Sequence, residues 1–171
     1  LSTKMDQPPN KLLTLLFVMR PNQVLLGMKK RGFGVGRWNG FGGKVQVGET
    51  IEDAAKRETL EECGLVVSSL DKVGVMLFEF LNDPQILEVH VYRTEQFEGV
   101  LQESEGNLLM EEMRPQWFNV MEIPFQSMWP DDSMWFPYLL SKRYFNGYFK
   151  FEGHNTILNH TITETEGPHK S

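Results

Sequence analysis

The stretch Gly43–Leu65 reads GKVQVGETIEDAAKRETLEECGL. It carries its own start and stop signals. Thr50 suits a helix N-cap, with Asp53 at the third helical position completing a capping-box pattern, and Gly64 suits a left-handed stop. The spacing predicts a helix over 51–63. On it, Glu58, Glu61 and Glu62 lie at i, i+3 and i+4, and the same face begins with Ile51, Ala54 and Ala55. At about 100° per residue, the carboxylates fall on the stripe that points inward. Uncompensated buried carboxylates are costly, so something cationic is expected to meet them. A divalent metal held by several oxygens answers that need. The competing explanation is a solvated acidic helix face.

The rest of the chain bounds the setting of that helix. A length of 171 residues is one ordinary domain with room for a hydrophobic core. Cys63 is the single cysteine, so no intrachain disulfide forms. A reducing compartment is expected, cytoplasmic and also nuclear or mitochondrial. No apolar run reaches the roughly 18–20 residues of a membrane span. The net charge is −6, and Lys29-Lys30-Arg31 is the one basic run. A general nucleic-acid surface is therefore not expected. A small polyanion in a local basic pocket remains compatible with an acidic protein. Flexible flanks are expected at residues 1–10 and 164–171, around a single domain at 11–163.

Along the chain, Leu12–Met19 and Val24–Met28 read as strands around a Pro21-Asn22 turn. Residues 32–43 hold glycines at 32, 34, 36, 40, 42 and 43. Such a loop takes unusual backbone conformations or approaches something closely. Val73–Phe80 and Ile86–Arg93 are predicted strands, 98–113 an acidic surface loop, and Gln116–Val120 a further strand. A second helix is predicted from Asp132 or Ser133 to about Arg143, with a later start or a bend at Pro137. Gly147–Phe151 and Thr156–Thr161 read as a closing hairpin. This order implies an α/β fold with a mixed β-sheet sandwiched between helices.

Gly42-Gly43-Lys44 superficially suggests a Walker loop. Trp38 stands where that loop needs its first glycine, and Val45 where it needs Ser or Thr, so the match fails. The full run 43–65 instead resembles the Nudix box, G-x5-E-x7-R-E-U-x-E-E-x-G-U, with U a bulky aliphatic residue. Gly43, Glu49, Arg57, Glu58, Glu61, Glu62, Gly64 and Leu65 match it. Thr59 stands at an aliphatic position; with Leu60 adjacent, a small repacking cost is expected. The resemblance implies a Nudix fold and hydrolysis of a nucleoside diphosphate linked to another group, with Mg²⁺ as cofactor and Mn²⁺ as the alternative ion. It implies metal binding by Glu58, Glu61, Glu62 and the carbonyl of Gly42, with Glu62 helping to activate water. It also makes Arg57 structural, pairing with Glu49. The family's additional acidic metal residue falls on Glu112, with Glu111 or Glu105 as alternatives in a segment longer than in close relatives.

Three further stretches bear on the substrate: 27–44 (GMKKRGFGVGRWNGFGGK), Phe78-Glu79-Phe80, and Met128-Trp129-Pro130-Asp131-Asp132-Ser133. Trp129 offers a flat face for a base, and Phe33, Phe78 and Phe80 offer walls. Asn39 can read a base edge as donor and acceptor. Asp131 and Asp132 in an apolar pocket would share one proton, since desolvation and like charge both raise a pKa. The alternative for that pair is an ordinary helix N-cap. Together the stretches resemble the branch of the family that hydrolyses oxidised purine nucleoside triphosphates. That likeness runs from about Leu12 to Thr161. It implies that Thr14, Lys29, Phe41, Gly42, Gly43, Lys44 and Pro130 also touch substrate.

The expected reaction releases pyrophosphate and a monophosphate from 8-oxo-dGTP, 2-hydroxy-dATP or methylated purine deoxynucleotides, by a monomer that keeps such nucleotides out of DNA. Other substrates of the box remain as alternatives: a dinucleoside polyphosphate, ADP-ribose or capped RNA. So does a non-catalytic binding module.

Overall fold

The computed structural model describes residues 7–102 and 113–168. Its strands are β1 (Lys11–Arg20), β2 (Gln23–Lys29), β3 (Trp38–Asn39), β4 (Val66–Phe80), β5 (Leu87–Glu98), β6 (Met113–Asn119), β7 (Phe145–Glu152) and β8 (Thr156–Glu164). Helix α1 (Ile51–Cys63) lies between β3 and β4, and α2 (Asp132–Ser141) between β6 and β7. One sheet holds the strands in the order β3-β2-β1-β5-β4-β7-β8, with β6 also paired to β2. β1 runs parallel to β5 and β4 parallel to β7; the remaining pairs are antiparallel. The sheet is mixed, as the sequence predicts.

The core lies on both faces of this sheet. Along β1, Phe17 and Met19 join one cluster with Trp135, Phe136 and Leu139 of α2. Leu16 and Val18 join the other with Ala55 and Cys63 of α1. Alternate residues of a strand point to opposite faces, so a strand covered on both reads as the continuous apolar run that β1 shows. Cys63 packs in this second cluster, and burial pushes its thiol up to about 12.

Several elements differ from expectation for local reasons. β4 begins at Val66 rather than Val73, because register shifts near Val67, Ser69 and Lys72 break the alternation that would mark a strand. β6 begins at Met113 although Pro115 lies within it; its recorded pairing is with β2 alone, and an edge strand tolerates proline. β3 is a short strand inside the glycine loop. α2 starts at Asp132 with Pro137 in its interior. The missing N–H deprives the carbonyl of Ser133 of its helical partner, and both residues are exposed to water. Pro9 accepts from Gln85 Nε2, and Asn10 donates to Glu88. Among the described residues no helix is long and apolar enough to cross a membrane.

Candidate active site

α1 is capped as its sequence predicts: Thr50 Oγ1 accepts from Asp53 N–H at 3.0 Å, and Gly64 closes the helix at φ 82°. Its buried arc is Ala54, Ala55, Thr59, Glu62 and Cys63. The three glutamates therefore do not share one buried stripe. Glu62 is inside at 8% exposure, Glu58 is half-buried, and Glu61 is exposed. The arc leans toward Thr59 and Cys63, which carries Glu61 out of it. Thr59 is fully buried and bonds the carbonyl of Ala55 at 2.8 Å. Leu60 is 49% exposed and does not replace the missing aliphatic side chain; the hydroxyl satisfies itself within the helix.

Arg57 organises the helix surface. Its Nε and Nη2 fork onto both oxygens of Glu49 at 2.6 and 3.1 Å, and Nη2 also donates to the carbonyl of Lys44. Nη1 donates to Glu58 at 3.0 Å and Glu61 at 3.2 Å. The guanidinium holds the Glu49 carboxyl below the usual carboxylate range. The predicted Arg57–Glu49 pair is present, and it ties the loop before α1 to the helix.

The backbone at Gly42 and Gly43 fits between β1 and α1 only without side chains. A Cβ on Gly42 would lie 1.7 Å from the carbonyl oxygen of Thr14, and one on Gly43 2.6 Å from the carboxyl of Glu58. The carbonyls of Phe41 and Gly43 accept from Leu16 and Thr14 of β1. Backbone groups alternate along an extended chain, so those of Gly42 point the other way, toward α1. Its N–H donates to Glu62 Oε1 at 2.8 Å. Among the described residues, no three acidic, histidine or cysteine side chains converge on a common ligand position. The donor set is nonetheless all hard oxygen, as Mg²⁺ prefers. The glycine cradle brings backbone directly onto the Glu58 carboxylate. Glu112 lies outside the described residues, as do Glu105 and Glu111.

Glu62 also reaches a cleft of about 930 Å³, including its open mouth. Thr14, Lys29, Phe33, Asn39, Gly42, Gly43, Phe78, Phe80, Trp129, Asp131 and Asp132, all expected substrate contacts, line this one cleft. Phe41 does not. Its cross-strand partner is Leu16, and opposed residues share a face, so its ring is fully buried in the core beneath α1. Lys44 and Pro130 are likewise absent from the lining. Arg37, Met76, Leu87, Val89 and Met113 line it without having been singled out. Met76 had a signal, since it precedes Phe78 and Phe80 at strand spacing. Arg37 had none, because its partners are distant in sequence.

At the far end of the cleft, Trp129 packs against Phe33 with ring centroids 5.0 Å apart and an angle of 28°. Asn39 Oδ1 accepts from Gly40 N–H at 2.8 Å, which leaves its NH2 and a second oxygen lone pair for other partners. Asp131 and Asp132 are each 2% exposed. Asp131 stands at the N-cap position of α2 yet makes no capping bond; its Oδ2 accepts instead from Trp135 Nε1 at 2.8 Å. Asp131 Oδ1 and Asp132 Oδ2 are buried without a hydrogen-bond partner. Burial raises both carboxyls, and the adjacent Asp131 charge raises Asp132 further. Both causes favour the neutral form of Asp132 over the charged one, and a pair that kept one proton would offer both a donor and an acceptor.

Residues 10–139 match the family described as the NUDIX domain. The chain is 55% identical over 157 residues to the oxidized purine nucleoside triphosphate hydrolase of Danio rerio, covering 92% of this chain and 97% of that protein. The same figures hold for the protein of that name from Mus musculus. Among solved structures, a MutT mutator protein from Bacillus halodurans superposes with a TM-score of 0.75 at 24% identity, over 89% of this chain and 97% of that one; at that identity the likeness is one of fold. A matching domain, relatives similar over nearly their whole length, and a complete set of box carboxylates on a capped helix lead to one conclusion: this chain belongs to the NUDIX family.

Proposed function

We infer that this chain hydrolyses oxidised purine nucleoside triphosphates, releasing a monophosphate and pyrophosphate. The observation that carries this is the single cleft joining Glu62 to the Asp131–Asp132 pair. One end presents the box helix, which serves many nucleoside diphosphate derivatives. The other presents a tryptophan and two buried carboxyls with free hydrogen-bonding atoms, suited to a purine edge. The names of the zebrafish and mouse relatives point to the same substrate class. A dinucleoside polyphosphate, ADP-ribose or capped RNA would use the same box and also carries a base, so these substrates are separated from the triphosphates by turnover.

Hydrolases of this family need a divalent metal. Mg²⁺ fits these residues, with Mn²⁺ as the alternative ion. Glu58, Glu61, Glu62 and the Gly42 carbonyl would hold it, once Glu58 and Glu61 turn from Arg57, with Glu112 as a further ligand. When bound, it neutralises phosphate charge and lowers the pKa of water. Glu62, fixed by the Gly42 N–H, takes the proton of the attacking water. Lys29 lies where it can meet the sugar or phosphates, and Thr14 lines the floor. Trp129, Phe33, Phe78 and Phe80 enclose the base. Asp132 donates to the base while Asp131 accepts; exchanging that proton between them lets one pocket read both an 8-oxoguanine edge and a 2-hydroxyadenine edge. Methylated purines remain within its reach.

The protein acts as a monomer on free nucleotides, in the cytoplasm and also in the nucleus or mitochondrion, and so prevents mutagenic incorporation. The direct test is turnover of 8-oxo-dGTP, 2-hydroxy-dATP, dGTP and ADP-ribose with Mg²⁺, read as the nucleoside monophosphate formed, with pyrophosphate as co-product of the triphosphates alone. Preference for ADP-ribose, or no turnover of any triphosphate, would reject the reading.

A further inference from the structure

Three segments far apart in the chain meet at the mouth of the base slot. The first is the glycine loop between β2 and β3. Gly34 and Gly36 adopt φ of 84° and 79°, and Lys29 and Arg37 close the loop with a backbone bond at 3.2 Å. The second is Trp129, ahead of α2. The third is the β7–β8 turn at Gly153–Asn155. Glycines in left-handed conformations fold the loop tightly but supply no side chain to hold it in place. Arg37 supplies the hold. Its Nη1 donates to the carbonyl of His154 at 3.1 Å, its Nη2 donates to Asn155 Oδ1, and its guanidinium lies 4.1 Å from the Trp129 ring centroid. Phe33, carried by the same loop, is 51% exposed yet contacts both Trp129 and the His154 ring, each with centroids 5.0 Å apart.

We propose that Arg37 is a positioning residue for the purine: it latches the glycine loop to the β7–β8 turn and thereby holds Phe33 against Trp129, fixing the aromatic wall on which the base packs. The inference rests on the reading of the cleft as a purine nucleotide site. A guanidinium serves here where an ammonium would not, because its planar fork reaches two acceptors while its face lies on an aromatic ring. Its charge is also felt by the carboxyl pair at the back of the slot. Burial raises both Asp131 and Asp132, and Arg37 offsets part of that rise. The latch acts on the base end alone, since none of its three contacts involves α1 or the Gly42–Gly43 cradle.

The test compares the full chain with Arg37→Met, Asn155→Ala and their combination. The first ligand is 8-oxo-dGMP, titrated calorimetrically without metal. The second is inorganic triphosphate, used as an inhibitor of 8-oxo-dGTP hydrolysis. Arg37→Met should weaken 8-oxo-dGMP binding about tenfold. Asn155→Ala, an exposed turn change that leaves the guanidinium on Trp129, should weaken it about threefold. The double variant should bind no worse than Arg37→Met. Inhibition by triphosphate should stay within about twofold of the parent, and the loss in turnover should fall on KM rather than kcat. Parental affinity in Arg37→Met, fully additive losses, or equal weakening of both ligands would each overturn the latch. If the parent itself fails to bind 8-oxo-dGMP, the proposed function falls and this inference falls with it.

Discussion

Replacing Asp132 by asparagine tests the second carboxyl pair through both stability and specificity. Asp132 is buried beside Asp131, and burial first, then the Asp131 charge, raise its pKa well above the ordinary value. An aspartate in the unfolded chain titrates at about 3.9. Between that value and its folded pKa, the folded protein keeps a proton that the unfolded chain has released. Stability therefore falls as pH rises through this window and is flat above it. One proton gives a slope of about 1.4 kcal/mol per pH unit, or about 3–6 °C in Tm for a domain of this size. Asp132→Asn keeps a neutral hydrogen-bonding side chain of nearly the same shape and has no proton to lose. Its Tm should match the parent near pH 4. It should then exceed the parent by a further ~3–6 °C for each unit above that, until the parent's folded pKa is reached. Thermal melts at matched ionic strength between about pH 4 and 8 measure the difference, in which the carboxylates remote from the pair cancel. Parallel curves would refute the buried proton. In turnover, asparagine has no proton to pass to Asp131, so the ratio of kcat/KM for 8-oxo-dGTP and 2-hydroxy-dATP should shift. An unchanged ratio would refute the base-reading role.

Glu62→Gln retains an acceptor for the Gly42 N–H and should leave Tm near the parent while kcat falls about 10²–10⁴-fold; near-parental turnover in a stopped assay would remove Glu62 from water activation. Chelation of divalent ions should abolish pyrophosphate release, and added Mg²⁺ or Mn²⁺ should restore it without refolding, as followed by circular dichroism. Trp129→Leu should raise the KM for 8-oxo-dGTP by the loss of about 1–3 kcal/mol of stacking, with triphosphate inhibition unaffected. Gly42→Ala places a Cβ 1.7 Å from the Thr14 carbonyl. The segment must then leave β1, and a stability loss of about 4 kcal/mol or more is expected in urea unfolding; a loss under about 1 kcal/mol would mean the cradle yields easily.

What was legible in the sequence had local causes. The limits of α1 follow from Thr50, Asp53 and Gly64, all within one short stretch, and the structure reproduces them. The cleft residues of β4 were legible for a similar reason, because Phe78 and Phe80 alternate along one strand face. Phe41 was misplaced because a glycine-rich loop gives no period. Only its bridge to Leu16 fixes which face the ring takes. The early start of β4 was hidden by its bulges, and that of β6 by Pro115. Arg37, His154 and Asn155 were out of reach, since their contacts span well over half the chain and no local pattern announces them.

The placement of Gly42 explains how one box can serve many substrates. The residue is pressed against Thr14 of β1 on one side and bonded to Glu62 of α1 on the other. Its conformation is therefore fixed by the sheet and the helix, whatever occupies the rest of the cleft. Asp131 and Asp132 enter the same cleft from the opposite face of the sheet, on the helix that packs beneath Phe17 and Phe145. Among the described residues, no hydrogen bond links that pair to α1. The two ends of the cleft thus rest on separate cores, joined across β1 and through the glycine loop that carries both Phe33 and Gly42–Gly43. Under the proposed function, changes around Trp129 should alter which base is read while leaving Glu58 and Glu62 in place. Under that same function, Glu58, Glu61 and Glu62 would mark the reaction, and the substrate would be read from the loop, turn and α2 residues that close the far end.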